Sequence, residues 1–262
     1  MTLRISIITV SLNQADFIEE NILSVLNQHY SNLEHIVIDG GSTDGTQAIL
    51  AKYSHLVWKS EPDRGQSHAL NKGFKMATGD IIGWINSDDR LHPGALQIVN
   101  DYFQNHPCEI GVVGDQALID AQSNLMRIIK SRSYSYDYLL NEAKGITQNS
   151  IFFRRNILEK IGYINEKLHY AMDHDFFIRV TKLKSLPYLP NTLAEFRVQS
   201  HSKTSEGTYK FSRELLFIRR KYGGRLFSAA SMNDLYVLST QPLRSIKPLR
   251  TFVQSIRNWH KK

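Results

Sequence analysis

The chain is nearly free of cysteine: its 262 residues hold one, Cys108. A single thiol makes no internal disulfide and no cysteine metal cluster, so stability must come from an apolar core in a reducing setting. No apolar run approaches the roughly 20 residues that span a bilayer. The N-terminus opens on the strand-like run Ile5–Val10, without the basic, apolar and small-residue order of a secretory leader, and a cytoplasmic protein is expected. No Gly-x-Gly-x-x-Gly follows that run and no Gly-x-x-x-x-Gly-Lys-Ser/Thr occurs anywhere, which excludes a dinucleotide fingerprint and a P-loop. Internal repeats, low-complexity segments and Pro/Gly/Ser-rich linkers are also missing.

What is present fits an ordinary globular chain, 42% apolar and 22% charged, which argues against disorder. The net charge of +7 is unevenly spread. From Arg197 onward there are 14 Lys/Arg against 3 Asp/Glu, whereas the preceding residues carry 18 against 22. This is a mildly acidic body with a basic tail, not a basic nucleic-acid binder.

Short apolar runs alternate with helix-period segments through the first half, the pattern of an α/β protein with a parallel sheet. Strands are expected at Ile5–Val10, His35–Ile38, Leu56–Trp58, Asp80–Ile85, Gly111–Val113 and Ile151–Phe153. Asp16 with Glu19 reads as a capping box ahead of an apolar face of Ile18, Ile22, Val25 and Leu26. Further helices are expected at Gln66–Met76, after Pro93 in a first turn, and at Asn156–Ile161, Asp175–Leu183 and Tyr209–Tyr222. Regularity fades across Ala117–Asn149.

Polar residues recur where the expected strands end: Ser11 and Asn13, Asp39, Glu61 to Arg64, and Asn86-Ser87-Asp88-Asp89. In an open parallel sheet those ends gather into the crevice where ligands bind. Carboxylates crowded there repel one another, and a hard dication such as Mg²⁺ or Mn²⁺ relieves the repulsion, usually with substrate phosphates completing its shell. The plainer alternative is that Asp88-Asp89 caps the helix beginning near Pro93.

These residues also resemble a known family, the inverting family-2 glycosyltransferases of GT-A fold. The resemblance rests on Ser6-Ile-Ile-Thr-Val-Ser-Leu-Asn13, Ile36-Val-Ile-Asp-Gly-Gly-Ser-Thr-Asp-Gly-Thr46, Glu61-Pro-Asp-Arg-Gly65 and Ala69-Leu-Asn-Lys-Gly73. Trp84-Ile-Asn-Ser-Asp-Asp89 with Pro93-Gly94, and Ala171-Met-Asp-His-Asp175 before Arg179, follow in order. It implies a Rossmann-like, mostly parallel sheet flanked by helices in residues 1–204. The nucleotide-sugar half would cover about 1–115 and the acceptor half about 116–204, with a basic helical extension over 205–262.

The resemblance further implies that Thr9, Ser11, Asn13, Asp39, Arg64, Asn71, Asn86 and Asp88 bind the nucleotide-sugar, a UDP-sugar being favoured. Asp39 would accept a hydrogen bond from the base. Asp89 would be the main ligand of Mn²⁺ or Mg²⁺ and Asp88 the second, with Asn86 standing where the family more often has Asp. Asp173 matches the catalytic base that takes the acceptor hydroxyl's proton; the alternative for it is an N-cap. Arg197-Val-Gln199 falls where the family commonly has Arg-x-His, and His201 is the substitute metal ligand, the alternative being a solvated loop histidine. The expected acceptor is a glycan or lipid-linked glycan in surface-polysaccharide synthesis.

Residues 243–262 place Ile246, Leu249, Val253 and Ile256 at helical spacing among Arg and Lys. Such a helix suits the inner, anionic membrane face, and packing on the protein or in a homodimer is the alternative. Two other functions compete with sugar transfer: nucleotidyl transfer, which would release pyrophosphate, and a non-catalytic nucleotide- or glycan-binding module.

Overall fold

The computed structural model describes residues 2–199 and 208–244, without the side chains of 241–244. The fold divides into two units. The first comprises Met1–Tyr136 and Gly145–Ser200, the second Asp137–Lys144 and His201–Lys262. Residues 137–144 therefore cluster with the C-terminal segment.

In the first unit, β1 (Ile5–Ser11), β2 (Leu33–Asp39), β3 (Leu56–Ser60) and β4 (Ile81–Asn86) are parallel, in the order β3-β2-β1-β4. Their connections are α1 (Ile18–Leu26), α2 (Thr46–Leu50) and α3 (Gln66–Met76). β1 is buried along its full length, as expected of a strand covered on both faces. The register sets Ser11 beside Asp39 and Val10 beside Asn86, so the polar strand ends lie level.

Past β4 the sheet becomes mixed. After β5 (Arg90–Leu91) and α4 (Ala95–Asn105), β6 (Gly111–Ile119) pairs antiparallel with β8 (Ile151–Arg154), which pairs antiparallel with β4. β6 also runs parallel to β9 (Tyr188–Arg197), β9 pairs antiparallel with β5, and β7 (Leu125–Ile129) lies against β6. The stretch after Ala117 is thus more regular than its sequence suggests. Two further helices, α6 (Ile157–Ile161) and α7 (Met172–Leu183), follow β8.

The core lies in two layers about the sheet. One joins Ile5, Ile7, Ile81 and Ile85 to Leu96, Val99 and Phe103 of α4; the other joins Ile18, Ile22, Val37, Leu50 and Leu56. Trp84 meets Phe74, Phe176 and Phe177 at ring separations of 5.7–6.0 Å, fixing α3 and α7 against β4.

Three local expectations are corrected. α1 has no capping box: its N-cap is Phe17, without a side-chain cap, because Gln14 O accepts the Phe17 and Ile18 N–H groups. Glu19 instead accepts from the Tyr53 hydroxyl. Pro93 lies before the N-cap Gly94, whose positive φ of 77° suits glycine. α7 begins at Met172, with Ala171 as N-cap, so Asp173 is in its first turn and does not cap it.

In the second unit, α5 (Tyr136–Asn141) contributes all but its first residue, followed by α8 (Thr208–Lys221) and α9 (Ala229–Arg244). Its centre is ionic. Arg219 and Asp234, each 1% exposed, pair at 2.9 Å, and the Arg219 guanidinium also donates to the carbonyls of Leu139, Leu140 and Ala143. The expected helix over 243–262 lies, beyond Arg244, outside the described residues.

Candidate nucleotide-sugar site

The ends of β1 and β2 are tied together through Asp39. Its buried carboxylate accepts from the backbone N–H of Gly41 (3.1 Å) and Ser42 (2.8 Å) and from the hydroxyls of Ser42 and Ser60. Ser42 Oγ in turn accepts the Asn13 N–H at 2.7 Å, and Asn13 Oδ1 accepts from Thr43 N at 2.9 Å. Oδ2 takes three of these donors and Oδ1 only the Ser42 hydroxyl, so by lone-pair count Oδ1 keeps room for one more donor. Ser11 is 5% exposed, and its buried hydroxyl has no hydrogen-bond partner among the described residues.

Thr9 corrects its expected place in a nucleotide pocket. It is fully buried and turned into the sheet–helix layer, where its hydroxyl donates to Asn21 Oδ1 and contacts His35 Nε2, both at 3.1 Å. Asn71 is also committed internally: its amide exchanges two hydrogen bonds with the Ile164 backbone and donates to Glu166 at 3.1 Å. Arg64, 69% exposed, pairs with Glu166 at 2.7 Å.

The N-terminus of α3 connects the acidic turn to the segment leading into α7. Gln66 Nε2 donates to Asn86 Oδ1 at 2.8 Å, while the Ser67 hydroxyl donates to the Leu168 carbonyl at 3.0 Å. Asp173 follows that segment, half-buried, with Oδ1 accepting the His174 N–H at 2.7 Å. Asp175 is structural instead. It is 1% exposed and pairs with Arg179 at 3.1 Å, while Arg179 caps the carbonyls of Ile161 and Tyr163.

Within the turn the two carboxylates part company. Asp89 is 1% exposed; its Oδ1 accepts the Arg197 N–H at 3.1 Å and its Oδ2 lies 3.4 Å from Asn86 Nδ2. Burial, then the charge of Asp88, push its carboxyl well above the usual range. Asp88 is half-buried and accepts from Gln199 Nε2 at 2.9 Å. Burial raises its carboxyl too, against the opposing pull of Arg197 and Gln199. Asp89 is turned inward, and Asp88 is the less buried carboxylate of the turn.

Among the described residues no group of three or more His, Cys, Asp or Glu is gathered to hold an ion. Asp88, which accepts from the Gln199 amide, is an oxygen donor of the kind a hard dication takes alongside phosphate oxygens and water. His201 lies outside the described residues.

The sequence matches the family description "Glycosyl transferase family 2" over residues 6–162. The chain belongs to this family. A glycosyltransferase of Mycobacterium tuberculosis is similar, with 30% identity over 237 residues covering 86% of this chain and 88% of the relative. The putative teichuronic acid biosynthesis glycosyltransferase TuaG of Bacillus subtilis is 27% identical over 83% of this chain and 87% of its own length.

Solved glycosyltransferases share the architecture. Residues 1–349 of Staphylococcus aureus TarS with UDP-GlcNAc superpose with a TM-score of 0.67 at 18% identity, covering 94% of this chain and 73% of that one. The mannosyltransferase PcManGT of Pyrobaculum calidifontis, with GDP-Man and Mn²⁺, gives 0.66 at 17% identity, covering 100% and 81%. The fold of this family-2 glycosyltransferase is GT-A.

Sequence reading missed the residue that organises the turn. Arg197 is fully buried, stacks over Phe17 at 5.0 Å, and donates through Nε to the Asp88 carbonyl at 3.0 Å. Its remaining N–H groups reach Glu20, Ser123 and the carbonyls of Asp120 and Ala121. Asn21 was missed as well: Nδ2 donates to the carbonyls of both Asn86 and Asp89 at 2.9 Å. A polar residue inside the Ile18–Ile22–Val25 stripe was the available signal. For Gln199, the signal was its place two residues after Arg197.

Proposed function

We propose that this glycosyltransferase is inverting and metal-dependent, moving a sugar from a nucleotide-sugar to a hydroxyl of a glycan or lipid-linked acceptor in surface-polysaccharide synthesis. A UDP-sugar is the favoured donor. The observation that carries the reading is Asp88, the less buried carboxylate of the acidic turn at the end of β4, raised by burial and accepting from Gln199. The donors in the TarS and PcManGT complexes, UDP-GlcNAc and GDP-Man, belong to the same chemical class.

In this reading residues 1–204 form the transferase domain, and 205–262 form an extension that meets the inner membrane face. Asp88, which accepts from Gln199, would hold the dication, and Asp89 braces the turn from within. When bound, the ion offsets charge developing on the departing nucleoside diphosphate. Asp173 accepts the proton of the acceptor hydroxyl, and attack from the face opposite the leaving group inverts the anomeric carbon. Asp39 and Asn13 order the loops at the base end, and Ser11 supplies a hydroxyl there.

The test is a thermal-shift screen of nucleotide-sugars with and without Mn²⁺, because a ligand that binds only the folded state raises its melting temperature. A Mn²⁺-dependent shift with one NDP-sugar, followed by release of the nucleoside diphosphate on transfer, is expected. Pyrophosphate as product would establish nucleotidyl transfer instead.

A further inference from the structure

The second unit displays two large apolar side chains on a braced loop. Between α8 and α9, Leu226 is 52% exposed and Phe227 89%, the most open of the large apolar residues among those described. The backbone on either side is fixed. Gly223 turns the chain at a φ of 83°, the Gly224 N–H donates to the Arg219 carbonyl at 2.7 Å, and the Arg225 N–H donates to Asn141 Oδ1 at 2.8 Å. Past the pair, the buried Ser228 hydroxyl donates to Ser231 Oγ at 2.9 Å, and the Ser231 hydroxyl closes the loop on the Arg225 carbonyl at 2.8 Å. The loop is thus held at both ends while its apolar tip stays in water, a cost in solvation that an outside partner would relieve.

The surroundings of the tip are basic. No Asp or Glu lies between Glu214 and Asp234, whereas Arg219, Arg220, Lys221 and Arg225 do. Arg219 is spent on Asp234 in the interior and Arg225 pairs with Asp137 at 3.2 Å, which leaves Arg220 and Lys221 on the exposed end of α8. Phe217, one turn earlier, and Met232, in the first turn of α9, are exposed as well. Apolar anchors collared by cations suit the headgroup layer of an anionic bilayer. A second copy of the chain fits less well, since a two-fold contact at this tip would set cations against cations. No helix among the described residues is long and apolar enough to cross a membrane, so the contact is peripheral.

We propose that the α8–α9 loop is a membrane anchor: Leu226 and Phe227 enter the acyl boundary of an anionic leaflet, and Arg220 and Lys221 bind lipid phosphates above them. Phe217 and Met232 widen the apolar footprint. The proposal rests on the reading of 205–262 as a membrane-facing extension, and it assigns the anchor to this loop rather than to the tail over 243–262. The two side-chain classes then occupy depths that match their polarity, rings and aliphatic groups below and long cationic chains at headgroup level.

The experiment is flotation of the full-length protein with vesicles of phosphatidylcholine, alone or with about one third phosphatidylglycerol. Binding about tenfold tighter to the anionic vesicles is expected, and it should weaken as salt is raised. Phe227→Ser should lower that affinity about fivefold or more, as lost apolar burial requires, with the melting curve unchanged because the side chain is open to solvent. Phe227→Trp should keep the binding and show more tryptophan quenching by chain-brominated lipid than wild type does. Unchanged binding in Phe227→Ser would overturn the proposal. If Leu249→Ser with Val253→Ser then abolishes binding, the tail is the anchor and the extension reading survives. No binding by any form would overturn both. A solution dimer that Phe227→Ser dissociates would also overturn the proposal, making the loop a contact between copies.

Discussion

The backbone N–H of Arg197 donates to Asp89 Oδ1 while its guanidinium Nε donates to the Asp88 carbonyl, so one residue of β9 grips both members of the acidic turn. The grip explains why neighbouring aspartates play different parts. Asp89 is drawn inward to satisfy β9, and Asp88 is left facing outward.

Asp88→Ala should weaken Mn²⁺-dependent donor binding at least tenfold with little change in melting temperature. Asp89→Ala should do the reverse in emphasis: a buried N–H loses its acceptor, at about 1–3 kcal/mol. Calorimetric donor titration alongside thermal melting separates the two. Equal loss of metal-dependent binding without destabilisation in Asp89→Ala would return the ligand role to Asp89.

Asp173→Asn removes the proton acceptor but keeps the side chain's shape. Turnover should fall by about 10²–10⁴-fold, the usual worth of a positioned base. Donor affinity measured by titration should stay within about threefold, since the predicted loss falls on kcat.

Gln199 donates to Asp88 where the resembled pattern commonly has histidine. Gln199→His should tighten Mn²⁺ binding by about tenfold, because an imidazole is the better ligand for this ion. Electron paramagnetic resonance of free Mn²⁺ reads the change directly.

Arg219 and Asp234 share a buried bridge in the second unit. Arg219→Met should destabilise that unit by about 3–5 kcal/mol, since Asp234 keeps a buried charge without its cation. The Leu139, Leu140 and Ala143 carbonyls also lose a donor. Arg219→Met with Asp234→Leu should recover part of the loss in urea denaturation.

For Glu34, burial opposes ionisation, but the Ser6 hydroxyl, the Thr78 N–H and hydroxyl, and Arg4 outweigh it and hold the carboxyl below 4.5. Its stabilisation is therefore full above the unfolded value and is lost as pH falls through the lower folded one. The stability difference between wild type and Glu34→Gln should be constant above about pH 5 and shrink below it. Chemical denaturation from pH 7 to pH 3 follows it.

By itself the sequence determined the parallel half of the fold. Ile5–Val10, His35–Ile38 and Asp80–Ile85 are short, mostly apolar runs that read as buried strands, and Gln66–Met76 reads as a helix. It also located the polar strand ends and, through the resemblance, the motif residues. β9 escaped notice because Pro190, Asn191 and Glu195 interrupt its apolar pattern, and its pairing with β6 and β5 spans long stretches of chain.

What only tertiary structure decided is which way each polar side chain faces. Adjacent aspartates look alike in a sequence, but Arg197, 108 positions from Asp89, assigns one to the interior. Thr9 and Asn71 read as ligand contacts until Asn21, His35 and Ile164 claimed them. Hydrogen-bond satisfaction in a buried site is a property of partners brought together by the fold.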